Sequence, residues 1–516
     1  MTEGRKADQP RARRRDRRTR GERTASTAHY RRLVNPFEPL QVFDDDQVEH
    51  IHQAALQVLA EDGIRVLSPE ARKHFGAAGA TVDEDEQLVR IPLELAAMSI
   101  ASAPSEFDII PRGPTRRISV GGRHVVMMPV GGPPYATDLD GGKRAGTLVD
   151  FENFVKLTQH FDVIHTNNPT TEPQDILVEF RHLEMMRAML TLSDKAAFVY
   201  SRGRGKVTDC FEMQRIALGL SEDEFMEQPH CFTIINTNSP RQLDVPMCQG
   251  IIQFAEMNQV SIITPFTLAG AMAPVTLAGA LTLQHAEALA GIALSQIVRR
   301  GAPVAYGAFT SNVDMRSGAP AFGTPEAVKA ALASGQLARH IGLPWRSSAV
   351  STSIVADAQA GYETMMNMMG AVLGGANIII HAAGWVESGL TASFEKFILD
   401  VEMVQMFAET FQPLGASEDD VGLEAIKSVE PGGHFFGADH TLERYDTAFY
   451  EPLVFTRQNY GQWTEAGSQT ATERANPIWK RIVADFEAPP LESSIQDELD
   501  TFVDRRTAEG GAMPSD

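Results

Sequence analysis

Cysteine is scarce: Cys210, Cys231 and Cys248 are the only three in 516 residues, and they are widely spaced. A sparse, odd set supplies no disulfide framework and suits a reducing compartment, so a cytoplasmic location is expected. No run of about 18 uninterrupted apolar residues is present to span a bilayer, and no apolar core marks a signal peptide. Positive charge is also short. Lys and Arg number 46 against 67 Asp and Glu, a net charge of −21 that repels nucleic acid and anionic membrane. The exception is "RARRRDRRTRGER", Arg11–Arg23. No basic patch follows it, so it reads as a solvated tail rather than a nucleic-acid arm.

What remains is ordinary for a folded chain: 43% hydrophobic and 22% charged residues. Residues 1–35 are expected to be a disordered basic tail. Residues 36–120 read as a small α+β segment, with the capped helix of "DDDQVEHIHQAALQVLAEDGI" and the strands of "QLVRIPL" and "FDIIP". A regular rhythm then fills residues 121–412. Its apolar runs are "HVVMMP", "FDVIHTN", "KAAFVY", "CFTIIN", "QVSIITPF", "APVAYGAF", "LPWRSSAV" and "ANIIIHA". Segments of helical period lie between them, such as "TPEAVKAALASGQLARHIG". Eight strand–helix units call for right-handed crossovers, a parallel sheet and a closed (β/α)8 TIM barrel. A doubly wound open sheet is the alternative, but the first strand lacks a GxGxxG turn, and "SRGRGK" lacks Walker spacing. Residues 413–516 read as a C-terminal extension packed on the barrel, ending in a loose tail, "RRTAEGGAMPSD".

Barrel chemistry gathers at the C-terminal strand ends. Those ends are rich in amides, hydroxyls and rings, and poor in lysine and paired carboxylates. Lys195 and Cys231 fall at strand starts, the wrong end for a Schiff base or a nucleophile. The scattered cysteines exclude a thiolate zinc site, so no metal is expected. Two-metal hydrolysis and glycoside cleavage need several inward carboxylates, and only Glu387 is well placed. Aromatic faces attract quaternary ammonium groups. Trp385, Phe309, Tyr306, Phe266 and Tyr135 are candidate walls for such an onium, with His381 and Glu387 on the turn after the last strand.

Several motifs carry a resemblance: "ADAQAGYET", "GGANIIIHAAGWVESGLTASFEKFILD", "PGGHFFGADHTLERYDTAFYEP" and "ERANPIWK". On these the chain resembles the trimethylamine methyltransferase family, the corrinoid-dependent methylamine and quaternary-amine methyltransferases. The resemblance implies a barrel whose mouth meets a separate cobalamin-bearing protein, and it leans toward a homo-oligomer. The methanogen trimethylamine enzymes carry pyrrolysine in the mouth, near the equivalent of "RSSAVSTSIVADAQ". Only standard residues stand there, which points to the pyrrolysine-free branch and to betaines such as glycine betaine. The resemblance then implies roles: Trp385, Phe309 and Tyr306 as a cation cage; Glu387 as counter-charge or acceptor from His381; and Asn167, Asn236, Asn238 or Arg346 for a substrate carboxylate. A sulfonium such as dimethylsulfoniopropionate, trimethylamine, and a non-catalytic onium-binding barrel are the alternatives. The chain lacks the DxHxxG corrinoid motif, so the cofactor is expected on the partner.

Overall fold

A computed structural model describes residues 32–513. The arginine-rich run lies outside them. The last residues assigned to the basic tail do not: Leu33–Val34 form a strand antiparallel to Val125 and His124.

All eight expected strands are present. They are β1 (His124–Met127), β2 (Thr166–Asn167), β3 (Ala196–Ala197) and β4 (Phe232–Thr237), then β5 (Val260–Ala269), β6 (Val304–Gly307), β7 (Trp345–Ser348) and β8 (Ile378–Ile380). A helix follows each. The first four are α1 (Leu148–His160), α2 (Val178–Leu192), α3 (Arg204–Leu218) and α4 (Val245–Glu256). The rest are α5 (Leu277–Val298), α6 (Pro325–His340), α7 (Ala358–Leu373) and α8 (Phe394–Thr410). Their starts are written locally. Thr324, Asp357 and Ser393 each accept a hydrogen bond from a first-turn N–H, and Pro325 stands where a missing donor costs nothing.

The result is a mixed α/β fold around a curled parallel sheet. Ladders run from β4 through β5, β6, β7 and β8 to β1. β2 pairs with β3, and a Phe198–Phe232 bridge joins β3 to β4. The expected closed ring is not laddered shut, because the sheet stays open between β1 and β2. There His165 N–H donates to the Met127 carbonyl at 2.8 Å. The Met127 N–H goes to His165 Nδ1, also at 2.8 Å, instead of to a strand carbonyl. A side chain thus occupies the donor that would continue the ladder.

Alternate residues separate two cores, as the two-residue period of a strand requires. Met128, Phe198, Phe232, Ile262, Ala305 and Ile380 pack together on the concave side. Tyr306, Trp345 and Ile379 belong to the larger core on the other face. Each fully buried large side chain contributes roughly 1.5–3 kcal/mol. The hairpin Phe107–Ile109 with Ile118–Val120 joins the concave cluster from the N-terminal strand ends. Its loops donate backbone hydrogen bonds to the carbonyls of Pro229 and Asp194, just ahead of β4 and β3.

α5 is long and apolar enough to cross a membrane, but 72% of its apolar window is buried inside the protein. Past α8, the helix Ala471–Ala484 docks on α8 through Trp479, whose indole N–H donates to Glu395 at 2.9 Å and whose ring stacks on Phe394. The expected loose tail is partly ordered: Arg505–Ala508 end a helix, and Ala512 N–H donates to the Glu179 carbonyl.

Candidate functional site

Arg346 lies in β7, and its guanidinium is buried at 2% exposure. Burial pushes its pKa down to about 9, and no carboxylate offsets that shift. Its one hydrogen bond is a long 3.4 Å contact to the Ala308 carbonyl, and Nε has no partner. A buried, unpaired charge is costly and is normally compensated. Here the compensation within the chain is a ring: the guanidinium carbon stands 5.3 Å from the Phe309 centroid.

Phe309 anchors an aromatic wall. Its centroid is 5.0 Å from Phe266, 5.2 Å from Phe322 and 6.2 Å from His381. The His381 ring lies 3.9 Å from Trp385. His381 Nδ1 and Trp385 Nε1 are both buried without a hydrogen-bond partner. Burial and then the Arg346 charge hold the His381 pKa well below its ordinary value, so the imidazole is neutral.

The turn after β8 is shaped to present these rings. His381 adopts φ +62°, a left-handed backbone that costs a non-glycine residue about 1–3 kcal/mol and tends to occur at functional sites. Gly384 N–H donates to Asp400 of α8 at 2.9 Å, and Asp400 is paired with the buried Lys396. Gly389, at φ +92°, lies under the Trp385 indole, where a Cβ would come within 2.4 Å of the ring. On α7, Glu363 accepts from the Ser351 and Thr352 hydroxyls and fixes the segment after β7.

The family profile described as Trimethylamine methyltransferase (MTTB) matches residues 10–511. The chain belongs to the trimethylamine methyltransferase family. It is 36% identical to the glycine betaine methyltransferase of Desulfitobacterium hafniense strain Y51, over 91% of this chain and 98% of that one. It is 29% identical to the trimethylamine methyltransferase MttB of Desulfitobacterium hafniense strain DSM 10664 / DCB-2, over 92% and 95% of the two chains. The crystal structure of the Methanosarcina barkeri monomethylamine methyltransferase aligns with a TM-score of 0.45 and 10% identity, covering 86% of this chain and 93% of that one. The activity class of the family is methyl transfer.

Of the residues singled out in the sequence, the fold brings Phe266, Phe309, Arg346, His381 and Trp385 together. Tyr306 is elsewhere. It faces the helices on the convex side, and its hydroxyl bonds Gln284 at 2.8 Å and His285 at 3.0 Å. Strand parity is the reason, since Ala305 takes the concave side. Glu387 does not meet His381. Its carboxylate accepts from Lys143 at 2.7 Å and from Thr391 at 2.6 Å. Burial pushes its pKa up, but these bonds and the Lys143 charge hold it below the usual value. Its charge is already paired, so it offers no free counter-charge. Tyr135 joins that pair, with the Lys143 ammonium 4.4 Å from its ring.

The amides divide similarly. Asn167 donates to Ser193 at 2.8 Å, and Asn238 exchanges hydrogen bonds with Asp244 at the start of α4. Each thus spends one of its two amide N–H donors inside the chain. Asn236 stands exposed opposite Thr264, with no hydrogen bond on its side chain. Phe322, Gly389, Lys143 and Asp400 were not singled out in advance. Only Gly389 carried a signal, a glycine two residues after a carboxylate in the "WVESGL" turn.

Proposed function

We propose that this chain takes a methyl group from a betaine, a quaternary ammonium carboxylate of the glycine betaine type, and delivers it to a corrinoid on a separate carrier protein. We further propose that the curled sheet works as a (β/α)8 barrel over residues 121–412, with 36–120 and 413–516 packed against it and the substrate at the C-terminal strand ends. The observation that carries the reading is Arg346: a buried guanidinium without an acidic partner, beside a wall of rings. A carboxylate on the substrate would supply the missing anion through charge-assisted bonds, about 1.5–3 kcal/mol each. Phe309, Phe266 and Trp385 would face the onium, and each ring over a cation contributes about 0.5–2 kcal/mol.

The carrier's corrinoid would supply the nucleophile for the methyl carbon, while Phe309, Phe266 and Trp385 would hold the onium as its C–N bond breaks and the electron pair stays on nitrogen. The leaving group is then a neutral tertiary amine, so the protein has no proton to place. That agrees with a site short of acids and with a neutral His381, which adds no second positive charge beside the onium. Positioning alone can lower a barrier by roughly 7–11 kcal/mol in favourable cases. Among the described residues no cluster of His, Cys, Asp and Glu is arranged to hold a metal, and the residues at the site fit the methyl donor.

The same observation ranks the donors. Glycine betaine and dimethylsulfoniopropionate carry a carboxylate for Arg346; trimethylamine and tetramethylammonium do not. The test mixes the purified chain, a corrinoid carrier reduced to cobalt(I) and each donor, and follows methyl–cobalt formation by absorbance. Carboxylate-bearing donors should react at least 100-fold more efficiently. Equal rates with tetramethylammonium or trimethylamine, or no methylation from any carboxylate-bearing onium, would overturn the reading.

A further inference from the structure

A second group of charges gathers in the loops after β2 and β3 and in the first turns of α2 and α3. The residues around Arg346 come instead from β5 and from the segments after β6 and β8. Glu172, Arg181, His182, Tyr200, Arg202 and Lys206 line a cavity of about 50 Å³, above the roughly 10–15 Å³ of such space that one water needs.

Lys206 is 7% exposed, and among the described residues its ammonium has no hydrogen-bond or ion-pair partner. A lysine so buried is almost always paired. The one carboxylate in the lining is already engaged. Glu172 accepts from the Tyr200 hydroxyl at 3.0 Å and from Arg181 Nη1 at 3.2 Å. Arg181 Nε and His182 Nδ1 are buried without partners. His182 is held in place from behind: its Nε2 bonds Asp209 at 2.9 Å, and Asp209 also accepts from Arg506 at 2.7 Å. The adjoining helices begin without side-chain caps, at Leu177 and Gly203. Their first N–H groups therefore add partial positive charge to the same place. Burial, then Arg202 and Arg181, depress the Lys206 pKa, as expected of a cation lacking its anion.

We propose that this niche binds an oxyanion, the phosphate or carboxylate group of a small molecule, with Lys206, Arg181 and Arg202 as its donors. Three cations meet one committed carboxylate there, a net charge of +2 that a phosphate dianion would cancel and a carboxylate would halve. The argument stands on these residues alone and does not depend on the methyl donor at Arg346.

The test uses thermal unfolding and calorimetry of the full chain with inorganic phosphate or acetate, against chloride at constant ionic strength. Phosphate or acetate should bind with saturation and raise the midpoint by about 2–3 °C at a hundredfold excess over Kd. The tighter of the two identifies the ligand class. Lys206→Met should weaken binding at least tenfold, and the exposed Arg202→Gln, which perturbs no packing, should weaken it several-fold. Arg346→Met should leave it intact. The proposal is overturned if neither anion exceeds chloride, if Lys206→Met and Arg202→Gln both bind as the wild type does, or if Arg346→Met abolishes the response, which would move the anion to the other site.

Discussion

Arg346→Met is expected to make the protein more stable and to remove the carboxylate recognition proposed for it. Burial holds the guanidinium well below its ordinary pKa, at about 9, which corresponds to about 5 kcal/mol for keeping it charged at neutral pH, at roughly 1.4 kcal/mol per pH unit. Methionine fills much of the same space without that charge. It gives up the stacking on Phe309, worth about 1–2 kcal/mol, and the long contact to Ala308. The net gain is about 2–3 kcal/mol, in line with other replacements of buried charge by apolar residues. For a chain of this length that raises the unfolding midpoint by about 2–3 °C. On the proposed reading the same change also removes a two-pronged contact to the substrate carboxylate, so kcat/KM for glycine betaine should fall at least 100-fold. The assay pairs thermal unfolding, with and without betaine, with methyl–cobalt formation. Betaine should stabilise the wild type and leave the variant unmoved. A variant that melts several degrees lower, or that keeps betaine turnover within threefold, would show that Arg346 is a structural residue whose partner has been misjudged.

Other outcomes follow from the same geometry. On the proposed reading betaine binding needs the protonated guanidinium, so affinity should be flat below pH 9 and fall about tenfold per unit above it, while a neutral His381 gives no step near pH 6.5; a kcat/KM profile from pH 6 to 10 checks both. Gly389→Ala puts a Cβ against the Trp385 indole in a left-handed backbone and should cost at least tenfold in betaine kcat/KM by tilting the ring; unchanged kinetics and fluorescence would count against Trp385 as a wall. Glu387→Gln weakens a partly exposed ion pair, so stability should change by less than about 1 kcal/mol and turnover by less than threefold. A loss of more than 100-fold would return Glu387 to the chemistry. Tyr306→Phe should leave turnover unchanged but cost about 1–3 kcal/mol in denaturant unfolding, because Gln284 and His285 lose a buried partner.

The strands were legible because each is a short β-branched run, and a strand buried on both faces has few other ways to be written. Helix starts were legible for a similar local reason, as at Thr324-Pro325. Site membership followed where parity could be read. Ala305 faces the concave core, so Tyr306 had to face outward, and treating it as a wall ignored that alternation. Partners distant in sequence left no local trace. Lys143 meets Glu387 from 244 residues away, and nothing in "GGKRAG" announces the pairing. The open β1–β2 edge was likewise invisible, since it depends on one histidine side chain taking a strand's N–H.

The hairpin that stoppers the N-terminal strand ends leaves, on the proposed reading, the C-terminal strand ends as the way in and out. On the proposed chemistry the donor, the demethylated amine and the visiting corrinoid all queue at that opening. Loading must precede docking, and emptying must wait for the visitor to depart. Excess carrier should therefore slow steady-state turnover by blocking the exit, a dependence that a protein with a rear channel would not show.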